Sequence, residues 1–298
     1  MTDFYIQAPE NQALTLDFSE VNNVFDTVLG CPHWTAVTED GTAIELTNAT
    51  VLPAGKKVYF YGEDTPSFAS DDGAVQATPK WFKITNDSIA KVMTIGGNIM
   101  SLMNGHNTND DTPKTHDLYG YPYTDVFAGA FQEASIIFAN DFRLPTTLWA
   151  GCFRKMFQDA TIRGADHLTN LLPATTLAKN CYLNMFSGAM FLKTEVPGYA
   201  FASINLPATT LVENCYGSMF SDAKYIRYIK VGFTEWPENG ETTNWVKGAE
   251  ESNTCIFIGP KDLPDLRDKD HIPVGWSFGH HFNGHGSVYI GNVRVTTR

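Results

Sequence analysis

The sequence is poor in basic residues. Its 298 residues contain 21 Lys and Arg against 33 Asp and Glu, so the formal net charge is −12 at pH 7. The Lys and Arg residues form no cluster, and the phosphates of a nucleic acid would be repelled by such an acidic surface. We therefore expect no nucleic-acid partner.

Long apolar segments are also absent from the sequence. No run reaches the roughly eighteen apolar residues that a membrane-spanning helix needs. The first residues, MTDFYIQAPENQ, have neither the basic nor the apolar region of a signal peptide, and Met1 reads as a native start. With 43% hydrophobic residues the chain is expected to fold, and its length indicates two or three domains.

Catalytic motifs are a third absence. GxSxG, HExxH, the P-loop and GxGxxG do not occur in the sequence. We therefore expect no catalytic residues, no cofactor and no metal. Acidic residues are plentiful, however, and the carboxylate pair of a glycoside hydrolase cannot be recognised from a list of them, so a glycan-cleaving enzyme stays an alternative.

The sequence does contain one pattern written three times. The copies read LPTTLWAGCFRKMFQDATI from Leu144, LPATTLAKNCYLNMFSGAMFL from Leu172 and LPATTLVENCYGSMFSDAKYI from Leu206, with starts 28 and 34 residues apart. A period of 20–50 residues with a fixed internal pattern predicts a stacked solenoid. Residues 127–134 match the second half of the pattern and indicate a degenerate first repeat.

The second half of each copy predicts an α-helix. On a helical wheel its apolar residues fall on one half of the circle, and the preceding threonine pair offers hydroxyl caps for the free amides of a helix start. Pro145, Pro173 and Pro207 lie just upstream, where the chain should turn. The predicted inward-facing core consists of Leu148, Cys152, Met156 and Phe157 in the first copy, Leu177, Cys181, Met185 and Phe186 in the second, and Leu211, Cys215, Met219 and Phe220 in the third.

Short apolar runs before the LP pairs predict one strand per repeat. They cover residues 135–138, 168–171 and 201–204, and residues 225–231 close the series with clear alternation. One strand and one helix per repeat is a leucine-rich-repeat-like layout.

Three of the five cysteines, Cys152, Cys181 and Cys215, occupy equivalent positions in the copies. Successive elements of a stack lie about 10 Å apart, whereas a disulfide needs Cα atoms roughly 4.4–6.8 Å apart. We therefore interpret these cysteines as buried thiols that act as small apolar residues. Zinc binding, the alternative, would need CxxC-like spacing, which the sequence lacks.

The regions on either side of the repeats predict β-structure. Alternation in residues 14–18, 43–46 and 58–62, separated by turn signals, indicates an antiparallel β-sandwich-like domain over residues 1–96. The solenoid is assigned to residues 97–231. A β-rich cap follows over residues 232–298, with a closing hairpin at 287–295. The predicted fold class is therefore α+β.

Two polar segments offer candidate contacts. The long loop over residues 104–124 carries Tyr119, Tyr121 and Tyr123, which are predicted either to stack on a glycan or partner or to pack the loop onto the first repeat. His280, His281 and His285, three histidines within six positions, suggest a metal site or an exposed turn. We favour the turn, because adjacent residues of a strand point to opposite faces.

The copies LPATTLAKNCYLNMF and LPATTLVENCYGSMF resemble those of BspA-like leucine-rich-repeat proteins of gut Bacteroidetes and of their crAss-like bacteriophages. Residues 97–103 resemble that family's usual run before the repeats, and residues 272–276 its usual ending. The chain departs from the family in having few repeats, a longer spacing between the second and third copies, and about two dozen residues beyond the usual ending. The resemblance implies a surface or adhesion protein and supplies no catalytic residues.

We therefore expect a non-enzymatic structural or adhesion protein, located in a phage virion as a fibre or tail-associated component. The alternatives are a bacterial cell-surface adhesion protein whose leader was removed, and a phage depolymerase acting on capsular glycan. Expected partners are other virion or surface proteins and a host glycan or protein receptor. A homo-oligomer or larger assembly is expected, with the closing hairpin either folded onto the chain's own β domain or added to a neighbouring subunit's sheet.

Overall fold

The computed structural model describes residues 2–20, 34–47, 49–62, 82–86, 91–110, 126–192, 202–249, 254–281, 287–290 and 293–296. Within these ranges the chain consists of strands and turns, with one short α-helix, α1 (Ser101–Asn104), and one 3₁₀-helix (Ala165–Asn170). The strands are β1 (Phe4–Gln7), β2 (Leu14–Glu20), β3 (Thr35–Thr38), β4 (Ala49–Leu52), β5 (Lys57–Tyr61), β6 (Phe82–Asn86), β7 (Met93–Gly96), β8 (Ser135–Phe138), β9 (Thr161–Arg163), β10 (Met190–Leu192), β11 (Ala202–Leu206), β12 (Ile226–Val231), β13 (Ile256–Pro260), β14 (Ser277–His281), β15 (Ser287–Ile290) and β16 (Val293–Thr296).

The strands form three sheets. The largest has the order β10-β9-β8-β7-β1-β5-β3; its strands from β7 to β10 are parallel, and β1 is antiparallel to both β5 and β7. The second has the order β11-β12-β13-β14-β15-β16 and is parallel from β11 to β14. A small antiparallel sheet pairs β2 with β4 and β6. The sequence places a domain boundary at residue 96, and strands from both sides of that boundary belong to this largest sheet.

The predicted α+β class, with one helix per repeat, is wrong. The second half of each copy is a run of consecutive β-turns, and neither of the short helices among the described residues lies there. We call these runs turn ribbons. Five of them lie among the described residues, at 126–133, 150–159, 179–188, 213–222 and 241–248.

Two alternating sets of backbone hydrogen bonds build the turn ribbons. Within a ribbon, the amide of Met156 donates to the carbonyl of Phe153, three residues back, over 3.2 Å. The next amide, that of Phe157, instead donates to the carbonyl of Met185 in the following ribbon over 2.9 Å. An α-helix satisfies its amides internally. A turn ribbon shares them with its neighbour, and the ribbons are therefore joined by a continuous hydrogen-bond ladder.

Positive φ angles at every fourth residue exclude a helix in the ribbons. In the third ribbon Asn180 has φ of 57°, Asn184 of 56° and Gly188 of 70°, whereas a helical residue has φ near −63°. A residue with positive φ is what the third position of a type II turn requires, and Asn and Gly adopt that conformation most readily. The same spacing recurs at Gly151, Lys155 and Asp159, at Asn214, Ser218 and Asp222, and at Gly240, Asn244 and Gly248.

Two of the sequence-based strand assignments also need correction. Residues 168–171 lie in the 3₁₀-helix and the residue after it, where the amide of Leu171 donates to the carbonyl of Leu168 over 3.0 Å, and the strand of that repeat is β9 instead. Residues 43–46 make only one bridge, between Ala43 and Val37. Both runs hold apolar residues, but neither extends into a ladder: residues 165–170 pack beside β11 as a 3₁₀-helix, and residues 43–46 form only that one bridge with β3.

Aromatic side chains stack in two columns that run through the ribbons. In one column Phe157, Phe186 and Phe220 lie face to face, with centroid distances of 5.5 and 5.9 Å and interplanar angles of 11° and 2°. In the other, Tyr182 stacks on Tyr216 at 6.0 Å and 4°. These contacts lie within a single buried core that extends from the N-terminal strands to the cap.

The two columns end at Trp245, which is fully buried and contacts both of them. In the last ribbon it takes the place that Met219 has in the previous one, because Phe220 donates to its carbonyl as Phe186 donates to that of Met219. Its indole Nε1 donates to the carbonyl of His271 over 2.8 Å. The cap is therefore fixed by both packing and a hydrogen bond.

The closing hairpin extends the chain's own second sheet. β15 pairs antiparallel with β14, and β16 pairs antiparallel with β15. The hairpin therefore lies beside the cap strand of its own chain and not beside the N-terminal strands, where one of the two predictions placed it. Addition to the sheet of a neighbouring subunit stays a prediction.

Candidate binding groove

An open groove lies beside the third threonine pair, and we call it the Thr–Trp groove. Its volume is about 380 Å³, and its walls are residues 209–211 on one side and residues from 233 to 241 on the other. A volume of this size suits a ligand of a few rings.

Local packing explains why these two segments lie together. β12 ends at Val231, and the next residue, Gly232, donates its amide to the carbonyl of Leu206 over 2.9 Å. A Cβ on Gly232 would lie 2.5 Å from the carbonyl oxygen of Pro207. Only glycine lets the chain after β12 approach the LPATT turn so closely, and that approach sets the base of the Thr–Trp groove.

Trp236 forms the aromatic part of the wall. Its indole Nε1 donates to the carbonyl of Pro264 over 2.7 Å. Its ring packs edge-on against Phe233 at 5.3 Å and against His271 at 4.9 Å. The side chain is half-buried. It is therefore held in one orientation while part of it stays exposed to the groove.

Carboxylates are the second component of the wall. Glu235 and Glu238 are exposed, whereas Glu241 is only 9% exposed. The amide of Asn239 donates to Oε2 of Glu241 over 3.0 Å. The backbone register places Glu241 where the preceding ribbon has Cys215, because Tyr216 donates to the carbonyl of Glu241 as Tyr182 donates to that of Cys215. The carboxylate of Glu241 thus takes, in the last ribbon, the place that the thiols of Cys152, Cys181 and Cys215 have in the ribbons before it.

Hydroxyl groups form the opposite wall. Thr209 and Thr210 are exposed, and so are the threonine pairs at 146–147 and 175–176. Thr147 and Thr176 make a parallel bridge. Thr210 holds the same place in the third copy as Thr176 in the second, and the ribbons that follow the two pairs are in register, since the amide of Asn180 donates to the carbonyl of residue 213. The Thr–Trp groove therefore lies at the end of an exposed row of threonines, which we call the threonine row.

These groups have a definite binding chemistry. The hydroxyls donate and accept hydrogen bonds, the carboxylates accept them, and the aromatic ring offers an apolar surface. No Lys or Arg belongs to the described residues that line the groove. The arrangement suits an uncharged ligand with many hydroxyl groups.

None of the candidate contacts named from the sequence belongs to the described lining of the Thr–Trp groove. Tyr119, Tyr121 and Tyr123 lie outside the described residues. His280 is half-buried, with Nδ1 3.3 Å from the carbonyl of Pro260, and the side chain of the histidine that follows lies outside the described set. Among the described residues, no group of three His, Cys, Asp or Glu side chains is placed to hold a metal ion.

The predicted repeat-core residues all face the interior of the stack. Leu148 and Leu211 are half-buried and pack against the core. The other ten are buried: Cys152, Met156, Phe157, Leu177, Cys181, Met185, Phe186, Cys215, Met219 and Phe220.

The thiols of Cys152, Cys181 and Cys215 are buried, and none of the three forms a disulfide. Burial raises the pKa of Cys181 to about 12 and that of Cys215 to about 11. Cys181 Sγ lies 3.9 Å from the carbonyl oxygen of Cys215. Since the thiolate is the nucleophile and the metal ligand, these cysteines contribute packing and not reactivity.

Sequence reasoning did not find the groove residues. The available signal was a tryptophan between two acidic residues, Glu235-Trp236-Pro237-Glu238, directly after the last repeat strand.

Comparisons of the chain with protein-family models, with curated proteins and with solved structures found no match. Within the described part of the chain, no helix has the length and apolar character needed to cross a membrane.

Proposed function

We propose that this chain is a non-enzymatic structural or adhesion protein in which the stacked ribbons form a rigid scaffold that presents a binding surface. One observation carries the proposal: every ribbon is joined to the next by backbone hydrogen bonds and by contacts between aromatic rings, from residue 127 to Trp245. Stacked repeats present extended surfaces, and this bonding keeps exposed side chains at fixed spacings.

The resemblance of the repeat copies to surface proteins of gut Bacteroidetes and their phages supports a place in a virion, as a fibre or tail-associated component. A bacterial cell surface is the alternative location. The partners proposed are other virion or surface proteins and a receptor on the host cell, in a homo-oligomer or a larger assembly.

Cell binding tests the proposal directly. Fluorescently labelled full-length protein is titrated onto a panel of intact Bacteroidetes strains, with the heat-unfolded protein as control. We expect saturable binding to some strains that unlabelled protein displaces. Mass spectrometry of purified virions and of surface-shaved cells then distinguishes the two locations. Non-saturable binding to every strain, together with absence from both fractions, would refute the proposal.

A capsule depolymerase is the second candidate, and the carboxylates of the Thr–Trp groove favour it. Glycoside hydrolysis uses one carboxyl group as general acid and a second as base or nucleophile, while water adds across the broken bond. Glu235, Glu238 and Glu241 line one wall. Incubation with purified capsular glycan should then release new reducing ends, and Glu241→Gln or Glu238→Gln should abolish the release. If the glycan stays uncleaved, the depolymerase proposal is refuted and only the binding function remains.

A further inference from the structure

We propose that the Thr–Trp groove binds an uncharged, linear glycan whose chain continues along the threonine row. This inference rests on the proposed adhesion function and assigns its ligand class. It is carried by three observations: a fixed, partly exposed indole, a nine-tenths buried carboxylate in the same groove, and a row of hydroxyls that leads away from them.

The indole provides the apolar contact. Trp236 is anchored by its hydrogen bond to Pro264 and by its edge-on contact with Phe233. A ring held in this way loses little conformational freedom when a ligand covers it, which favours binding. The C–H groups of a sugar ring can cover the exposed part of this indole, while its hydroxyls remain free for the polar wall.

The buried carboxylate selects against acidic ligands. Oε2 of Glu241 already accepts the amide of Asn239, and a carboxylate has acceptor capacity for further hydroxyl donors. Glu235 and Glu238 add negative charge to the same wall. A uronic acid or sialic acid would bring another carboxylate to this wall, and the described lining offers no cation to pair with it.

The threonine row gives the ligand a direction. Thr147 and Thr176 form an isolated parallel bridge, so their two segments lie at about the ordinary strand spacing of 4.8 Å. The row reaches the groove at Thr209 and Thr210. Hydroxyls repeated at this short interval suit a chain of repeating units laid across the ribbons better than a single compact ligand.

Binding to defined oligosaccharides tests the inference. The protein is applied to an array of linear oligosaccharides in three charge classes: neutral, cationic with free amino groups, and acidic. Neutral hits are titrated by calorimetry. We expect neutral chains to bind, longer chains more tightly than disaccharides, and acidic chains at least tenfold more weakly. Acidic chains binding as tightly as neutral ones would overturn the charge argument. A preference for cationic chains with free amino groups would overturn the assignment to uncharged glycans.

Variants locate the binding in the groove. Glu241→Gln and Thr210→Tyr should weaken neutral-glycan binding at least tenfold, and Trp236→Ala should abolish it. Glu213→Gln is the matched control, because Glu213 is an exposed glutamate of the same repeat that pairs with Lys179 outside the groove. Unfolding curves are recorded for every variant, and Thr210→Tyr keeps the test valid if Trp236→Ala unfolds.

The two proposals fail in different ways. Cell binding that persists in Thr210→Tyr and Glu241→Gln would overturn the groove inference and leave the adhesion function standing. Absence of saturable cell binding by the unmodified protein would overturn the adhesion function itself. Equal loss of glycan binding in Glu213→Gln would show that the groove is not the site.

Discussion

Two substitutions at Asn184, to glycine and to alanine, distinguish a turn ribbon from a helix. Its φ is 56°, and its amide donates to the carbonyl of Gly217 in the next ribbon over 2.9 Å. Glycine adopts this conformation without penalty, whereas alanine pays about 1–2 kcal/mol for the left-handed region. Alanine recovers about 0.4–1 kcal/mol by lowering the entropy of the unfolded chain. Asn184→Gly should therefore be more stable than Asn184→Ala by about 0.5–1 kcal/mol.

If residues 179–188 formed a helix, Asn184→Gly would instead be less stable than Asn184→Ala. In a helix interior, glycine is about 1 kcal/mol less stable than alanine. Urea denaturation of both variants at one pH measures the difference in the free energy of unfolding. Ser187 serves as the control, because it lies in the same ribbon and is absent from the residues with positive φ; there the alanine variant should equal or exceed the glycine variant. Greater stability of Asn184→Ala than Asn184→Gly would refute the ribbon.

Four further predictions concern the stack. Phe186→Ala should lower the free energy of unfolding by about 3–5 kcal/mol, because the ring is fully buried between two stacked rings; a loss below about 1 kcal/mol in urea denaturation would contradict the column. Tyr182→Phe should keep or raise the thermal midpoint, since the buried hydroxyl has no hydrogen-bond partner among the described residues; a marked fall would reveal a partner. Gly188→Ala should destabilise by about 2 kcal/mol or more, because its φ is 70° and a Cβ would lie 2.0 Å from Oδ1 of Asp159; Asp159→Ala in the same chain should recover part of this loss, and strict additivity in the double-mutant cycle would contradict the clash. Burial raises the pKa of Cys181 from 9.0 to about 12, so its contribution is complete below pH 9 and declines by about 1.4 kcal/mol per pH unit as the pH rises towards 12; Cys181→Ala should flatten the loss of stability measured between pH 8 and 10, and an equally steep loss would contradict it.

The sequence predicts which repeat residues are inside but not the backbone that places them there. Cys181, Met185 and Phe186 are fully buried. Cys181 and Met185 lie four residues apart, as do Tyr182 and Phe186. Over a dozen residues a period of four selects nearly the same inward positions as the helical period of 3.6. The distinguishing signal is the residue type at positions 180, 184 and 188, where Asn, Asn and Gly favour positive φ. Amphipathic periodicity alone could not separate the two structures.

The groove and the shared sheet depend on contacts distant in sequence. Thr210 and Trp236 meet because β11 pairs with β12 in one register and because Gly232 allows a close approach. Likewise, β1 lies between β5 and β7 and so joins the N-terminal strands to those of the ribbons. Local patterns predict that such strands exist, but they contain no information about which strands become neighbours.

The most direct test of the ribbon stack is the backbone φ at Asn180, Asn184 and Gly188, measured in solution by NMR from scalar couplings and chemical shifts. The stacked ribbons predict positive φ at all three residues, with negative φ at the residues between them. Negative, helical φ throughout residues 179–188 would contradict the ribbon stack and the scaffold that is built on it.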